Sequence, residues 1–276
     1  MKSQSIQLWL FLWLYCLVSC QPKSRLETYL ESLPDSLLVS YQIQDKSGKI
    51  FSSQKANKQI PSASIIKIPI LIELMRQVEA GRLALEQEIM MQEEDVVSGA
   101  GELQFQPVGT SYTLEYLARE MIRISDNIAT NLIIKEVGMT SIQDWLDKNG
   151  YKITQLNRMM MDFDAIAAGR QNYTSPAEIS QMLAALYGGE YLSEHYTDLV
   201  MELLFDCKDR STIPSKLPAG VTVAHKTGTL DYVRGDAGII LRDNPLILSV
   251  FVEGFESMEE AEEVIGEIAK IAWETF

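Results

Sequence analysis

The chain predicts a mixed α/β fold of the α+β type, with one antiparallel sheet made from both chain ends and an all-helical lobe between them. Three observations predict it. Strand-like runs occupy 37–53 and 221–253, and the stretch between them reads mostly as helix. The 276 residues, 46% of them hydrophobic with ordinary Gly and Pro, are enough for a large packed core.

The elements follow in order. Arg25–Leu33 has the spacing of a short amphipathic helix, and Leu37–Gln44 with Ile50–Ser53 reads as a hairpin whose turn is Lys46-Ser47-Gly48. A long helical stretch is expected from Ser64 to about Asn149, broken at Gly99–Gly101 and at Pro107–Gly109. Ser175-Pro176-Ala177-Glu178 has the residues of a helix start, continuing to Tyr187. Strands are expected at Val221–Thr229, Ala237–Leu241 and Leu246–Glu253, and Met258–Trp273 closes the chain as an amphipathic helix.

Three short motifs stand in one order: Ser64-Ile65-Ile66-Lys67, Ser125-Asp126-Asn127 and Lys226-Thr227-Gly228. Context separates them from chance matches. Ser52-Ser53-Gln54-Lys55 also fits the first pattern, but it lies in a polar stretch with no apolar face to fix it. Ser64 instead opens an apolar run at helical spacing through Val78, with Lys67 one turn on and on the same face. A serine there sits near free backbone N–H groups and the positive end of the helix dipole. Three polar residues between Ile124 and Ile128 are costly to bury unless they line a cavity or pair with each other.

In order and spacing the trio resembles that of class A β-lactamases and penicillin-binding proteins. The resemblance covers essentially everything after Arg25 and implies the β-lactamase/DD-peptidase fold. It implies Ser64 as nucleophile, Lys67 as its base and Ser125 as proton relay to the leaving nitrogen. Whether lysine or a water-bridged carboxylate acts as the base is open in that family. Asn127 is implied to hydrogen-bond the substrate amide, and Lys226 and Thr227 to grip its carboxylate. Gly228 is implied to leave room for substrate along the strand edge. Thr229 is implied to complete an oxyanion hole with the N–H of Ser64. The chain has two histidines, neither in a Ser-His-Asp pattern, and His225 beside Lys226 reads as structural. Arg234 is a further candidate positive charge. Neither a cofactor nor a metal is called for.

One departure divides the functional reading. The segment Gly150–Arg158 resembles the approach to the loop that carries the deacylating glutamate of class A β-lactamases. Counting from Arg158, that glutamate position falls on Met160, and the family's Asn falls on Asp164. Residues 150–171 contain no Glu, and their only acids are Asp162 and Asp164. A thioether cannot take a proton from water. Three functions follow: a β-lactamase-like hydrolase with slow deacylation, a peptidase acting on acyl-D-Ala-D-Ala ends of cell-wall peptides, or a non-enzymatic β-lactam-binding or sensing module. Asp164 or Asp162 as a substitute base would belong to the first.

The remaining expectations concern location and partners. Lys2 precedes an apolar run, Leu8–Val18, too short to span a bilayer comfortably but suited to a secretory signal. It ends Leu17-Val18-Ser19-Cys20, which resembles a bacterial lipobox. That resemblance implies cleavage before Cys20, lipid attachment there and a lipid-anchored protein of the bacterial cell envelope. The expected organisation is a signal peptide over 1–19, a tether over 20–24 and a catalytic domain over 25–276. Within that domain a sheet lobe takes about 25–60 and 215–276, and a helical lobe takes about 61–214. Cys207 is then the one thiol of the mature body, so no structural disulfide is expected. A net charge of −14 argues against nucleic acid as partner. A monomer acting on a small-molecule or peptide substrate is expected.

Overall fold

The computed structural model describes residues 23–276. The signal segment Leu8–Val18, the lipobox-like Leu17–Cys20 and most of the tether lie outside the described residues. In chain order the elements are α1 (Arg25–Ser32), β1 (Leu38–Asp45), β2 (Ile50–Gln54), β3 (Ile60–Pro61), α2 (Lys67–Glu79), β4 (Glu88–Met90), β5 (Ser111–Thr113), α3 (Leu114–Arg123) and α4 (Asn127–Val137). They continue with α5 (Met139–Lys148), α6 (Phe163–Ala167), β6 (Tyr173–Thr174), α7 (Pro176–Tyr187), α8 (Glu194–Phe205), β7 (Val223–Leu230), β8 (Val233–Ile240), β9 (Leu246–Glu253) and α9 (Met258–Thr275).

Five strands form one antiparallel sheet in the order β2-β1-β9-β8-β7. The N-terminal hairpin joins the C-terminal meander where β1 runs along β9, from Leu38 opposite Glu253 to Asp45 opposite Leu246. Alternation along β9 explains why both faces are covered. Leu246, Leu248, Val250 and Val252 pack with α1 and α9, whereas Ile247 and Phe251 face the helices on the other side. Such a strand reads as a continuous apolar run because water meets neither face. Local chemistry sets the ends of several elements. Ser24 and Glu27 cap α1 reciprocally, and Ser175 caps α7 by accepting from Glu178 N. In the β1–β2 turn Asp45 accepts from Ser47 N and Lys49 N, with Gly48 at φ +83°, so Lys46-Ser47-Gly48 is a turn.

Several expectations need correction. Residues 80–113 form no α-helix, only 3₁₀ turns at Glu93–Asp95 and Leu103–Phe105. From Leu83 to Met90 partly buried and exposed residues alternate strictly, a period of two, and β4 pairs with β5. Leu, Glu and Gln are good helix formers, but the segment has no apolar stripe at helical spacing to bury. Helix α8 was not foreseen, although Ser193 precedes it and Val200, Leu203 and Leu204 form its buried stripe. Strand β8 begins at Val233, ahead of the expected Ala237. Arg234, Gly235 and Asp236 look like turn chemistry, yet each has a buried place in the sheet. A short pair, β3 with β6, ties the segment before Ser64 to the loop after Met161. Arg234 is not a free charge, since its guanidinium donates to Asp209, Glu262, Ser211 and Thr229 Oγ1.

Candidate active site

Helix α2 is apolar nearly all round, with Ile68, Ile70, Leu71, Ile72, Leu74 and Met75 all buried, so it runs through the middle of the core. Its first residue is Lys67, which therefore starts its side chain from inside the protein. Ser64 lies one turn earlier in a 3₁₀ turn, Ala63–Ile66, and not on the α-helix proper. Ser62 N donates to Asn172 O at 2.9 Å, and Ala63 adopts φ +46°, so the chain turns sharply just before the serine. Ser64 stays partly exposed on the wall of a cavity of about 910 Å³.

Ser125-Asp126-Asn127 occupies the break between α3 and α4, where a continuous helix was expected. Ser125 has φ +61°, which ends α3 and turns its hydroxyl into the cavity. Asp126 caps α4 by accepting from Ala129 N at 2.9 Å and accepts from Leu103 N at 2.9 Å. That pins the loop 98–106 against the motif. Gly101 has φ +108°, and a Cβ there would stand 2.1 Å from an Asp126 carboxylate oxygen. Asn127 N donates to Ala100 O at 3.0 Å, which fixes its side chain at the cavity wall.

These elements meet at Lys67. Its Nζ donates to Ser125 O at 2.7 Å, Ser125 Oγ at 3.0 Å and Asn127 Oδ1 at 3.2 Å. It makes no hydrogen bond to Ser64 Oγ, the contact its spacing suggested. Burial drives the Lys67 amine well below the ordinary lysine range, and the charge of Lys226 adds to the effect against a weaker opposing pull from Asp126. Lys226 is also fully buried, its own pKa lowered by burial, and it donates to Thr227 O at 2.9 Å.

Lys226, Thr227 and Thr229 line the same cavity as Ser64, Ser125 and Asn127. Gly228 does not. A Cβ at Gly228 would meet Ser62 O at 3.0 Å and the Ala63 and Ile65 side chains at 3.1 Å. The missing side chain makes room for the protein's own Ser64 turn.

The loop after α5 brings Met160 and Met161 to the cavity wall. Asn131 on α4 clamps Met160 on both sides, accepting from its N at 2.8 Å and donating to its O at 3.1 Å. At the neck of this loop Asn172 accepts from Asn157 N and Arg158 N, while Arg158 Nε donates to Gln171. Asn131, Arg158 and Asn172 were missed by sequence reasoning. Asn127 and Asn131, four apart on one helix face, were a signal that could have found the clamp. Asp162 is used as the cap of α6, accepting from Ala165 N at 2.8 Å. Asp164 is exposed and does not line the cavity. Among the described residues no group of three or more His, Cys, Asp or Glu is placed to hold a metal ion.

The chain is 29% identical to beta-lactamase VEB-1 of Pseudomonas aeruginosa, over 77% of this chain and 77% of that protein. It is 28% identical to the extended-spectrum beta-lactamase PER-1 of Pseudomonas aeruginosa, over 79% and 75% respectively. Among solved structures, PBP-A superposes with a TM-score of 0.83 at 27% identity, covering 92% of this chain and 98% of PBP-A. A mutant of PBP-A with glutamate in place of a leucine, solved as the acyl-enzyme with penicillin G, gives the same TM-score at 26% identity, with 91% and 94% covered. The beta-lactamase enzyme family matches residues 22–276, and this protein belongs to that family.

Proposed function

We propose that this protein is a serine hydrolase that opens the amide bond of β-lactams through an acyl-enzyme on Ser64 and releases the product slowly. The observation that carries the acylation half is the placement of Lys67. A neutral amine has two N–H bonds and one lone pair. Ser125 O and Asn127 Oδ1 can only accept, so in the neutral amine they take the two N–H bonds; the contact with Ser125 Oγ, in which the charged amine donates, then reverses, and the lone pair is free to accept a hydroxyl proton. Ser64 Oγ attacks the carbonyl, and its proton passes by way of Lys67 and Ser125 to the leaving nitrogen. Lys226 and Thr227 receive the substrate carboxylate, Asn127 its side-chain amide, and the N–H groups of Ser64 and Thr229 the oxyanion. VEB-1 and PER-1, whose names declare β-lactam hydrolysis, support this substrate class.

Slow release rests on Met160. It fills the wall position where a carboxylate would activate water, Asp162 is committed to a helix cap, and Asp164 is outside the cavity. A positioned general base is worth about 10²–10⁴ in rate, or about 3–5 kcal/mol. The PBP-A mutant solved as an acyl-enzyme with penicillin G supports the acylation half with this substrate class and does not bear on the rate of release. The test is an intact-mass time course with penicillin G. Wild type should gain a persistent adduct that Ser64→Ala abolishes, and Met160→Glu should shorten its life with acylation nearly unchanged. An adduct that wild type clears within seconds and that Asp164→Asn or Asp162→Asn preserves would instead mean a relocated base.

The same observation favours a second reading, a peptidase on acyl-D-Ala-D-Ala peptides for which penicillin is a trapping inhibitor. Release of D-Ala from such a peptide, with a stable penicillin adduct, would select it. We also propose that a monomer is anchored in the bacterial cell envelope by a lipid on Cys20. The lipobox-like Leu17–Cys20 supports the anchor. Cys20→Ala should lose the lipid mass and leave the membrane fraction.

A further inference from the structure

Among the described residues no carboxylate forms an ion pair with Arg158, although only 7% of its surface is exposed and it lines the Ser64 cavity. Its Nε donates to Gln171 Oε1 at 2.8 Å and its Nη1 to Met159 O at 2.8 Å, both neutral acceptors. Nη2 has no acceptor among the described residues, yet it is not sealed from solvent, so its N–H groups open into the cavity. Burial lowers the Arg158 pKa, and the charge of Asp162 opposes this from beyond ion-pair distance, that carboxylate being committed to the α6 cap. A guanidinium keeps its proton at any accessible pH, so the positive charge stays. Other buried cations differ. Arg234 is paired with Asp209 and Glu262, and Lys67 can shed its proton. A buried charge held by neutral groups alone is costly until an anion meets it.

We propose that Arg158 determines specificity by selecting substrates whose acyl side carries a carboxylate. This rests on the serine-hydrolase reading and deepens it. With the ring carboxylate on Lys226 and the side-chain amide on Asn127, the acyl substituent continues toward the wall formed by Met160 and Met161. Asn127 and Met161 both flank Gly99, where a Cβ would lie 2.7 Å from Asn127 Nδ2 and 3.1 Å from Met161 Sδ. Arg158 reaches the same wall, since it donates to Met159 O. Its backbone is also fixed close to the nucleophile. Asn172 accepts from Arg158 N at 3.0 Å through its side chain and from Ser62 N at 2.9 Å through its carbonyl. Lys226 and Arg158 therefore share one cavity with Ser64, the first for the carboxylate common to the class and the second for a carboxylate on the acyl side. The open Nη2 edge donates to that carboxylate, while Nε and Nη1 stay on Gln171 and Met159 and hold the guanidinium in place.

The experiment compares two penicillins that differ by one group. Carbenicillin is penicillin G with a carboxylate on the side-chain carbon beside the amide carbonyl. Single-turnover acylation of the full-length chain, followed by intact mass, gives an efficiency for each, and the ratio of carbenicillin to penicillin G is the readout. Gln171→Glu puts a carboxylate where the Gln171 amide oxygen already accepts from Arg158 Nε and Asn172 N. The clamp on the loop then persists while the guanidinium is neutralised from within. The ratio should fall by about tenfold or more, the worth of a hydrogen bond to a charged group. Arg158→Gln should lower it likewise. A purely structural role for Arg158 would change both penicillins alike, so a ratio that neither substitution moves overturns the inference while acylation itself stands. If neither penicillin forms an adduct on Ser64, the serine-hydrolase reading fails and the inference falls with it.

Discussion

Lys67 has no exposed surface, so its neighbours decide its charge. Two residues can be changed to test this. Lys67→Ala should slow acylation by about two to four orders of magnitude, the worth of a general base. Lys67→Arg should rescue nothing, because a guanidinium keeps its proton at any accessible pH. Lys226 depresses the Lys67 amine through its charge, so the rising limb of the acylation rate should lie well below pH 10.5 in wild type. Lys226→Gln should move that limb to higher pH, besides weakening carboxylate binding. Single-turnover acylation as a function of pH checks all of this, and a limb that stays in place would show that Lys67 is not the group titrating. Ser64, Lys67, Ser125 and Lys226 could be picked out of the sequence because their types and spacing are those the chemistry needs. That Lys67 would reach Ser125 and not Ser64 Oγ could not be read there, since side-chain direction follows from the 3₁₀ turn at Ser64 and the break at Ser125.

At the scale of elements, the site is an agreement between three breaks in regular structure. Ala63, Ser125 and Met161 are all non-glycine residues at positive φ, and all line the cavity. Such conformations cost of order 1–3 kcal/mol each and persist only where packing enforces them. The loop 98–106 does this for Ser125 and Asn127, with Gly101 in contact with Asp126. Gly101→Ala adds a methyl where the Asp126 carboxylate already stands and strains a backbone at φ +108°. It should cost about 1–3 kcal/mol in stability from overpacking and reduce acylation far more than that loss explains. Urea unfolding beside penicillin acylation separates the two, and acylation left at wild-type rate would show that the loop does not position the motif. A glycine-rich break near 99–101 was visible in the sequence, but its partner was not. Gly101 and Asp126 are 25 positions apart, and only the packed α3–α4 corner brings them together.

For the whole molecule, stability rests on one sheet covered on both faces. Phe251 closes the face toward α2, packed so tightly that a Cβ at Gly235 would lie 2.7 Å from its ring, and Phe251→Ala should cost about 3–5 kcal/mol by thermal or urea unfolding. The buried His225–Asp236 pair adds a pH dependence of known sign. A histidine whose pKa rises on folding stabilises fully below its unfolded value of about 6.5, and that contribution is lost as pH rises through about 10. The stability gap between wild type and His225→Asn should therefore narrow between pH 6 and pH 10.5. Lys67 and Lys226 act with the opposite sign but are common to both proteins. The sequence by itself determined the outer helices, the hairpin, the apolar strand β9 and the three motifs, because each is dictated by local periodicity, capping residues or reaction chemistry. It also determined that no glutamate stands in the loop at Met160. Only the tertiary structure decided that residues 80–113 form no α-helix, that Arg234 and Asp236 lie inside the sheet, and that Gly228 makes room for the Ser64 turn. Those outcomes depend on contacts between residues distant in sequence, where burial energy overrides local propensity and turn-like chemistry.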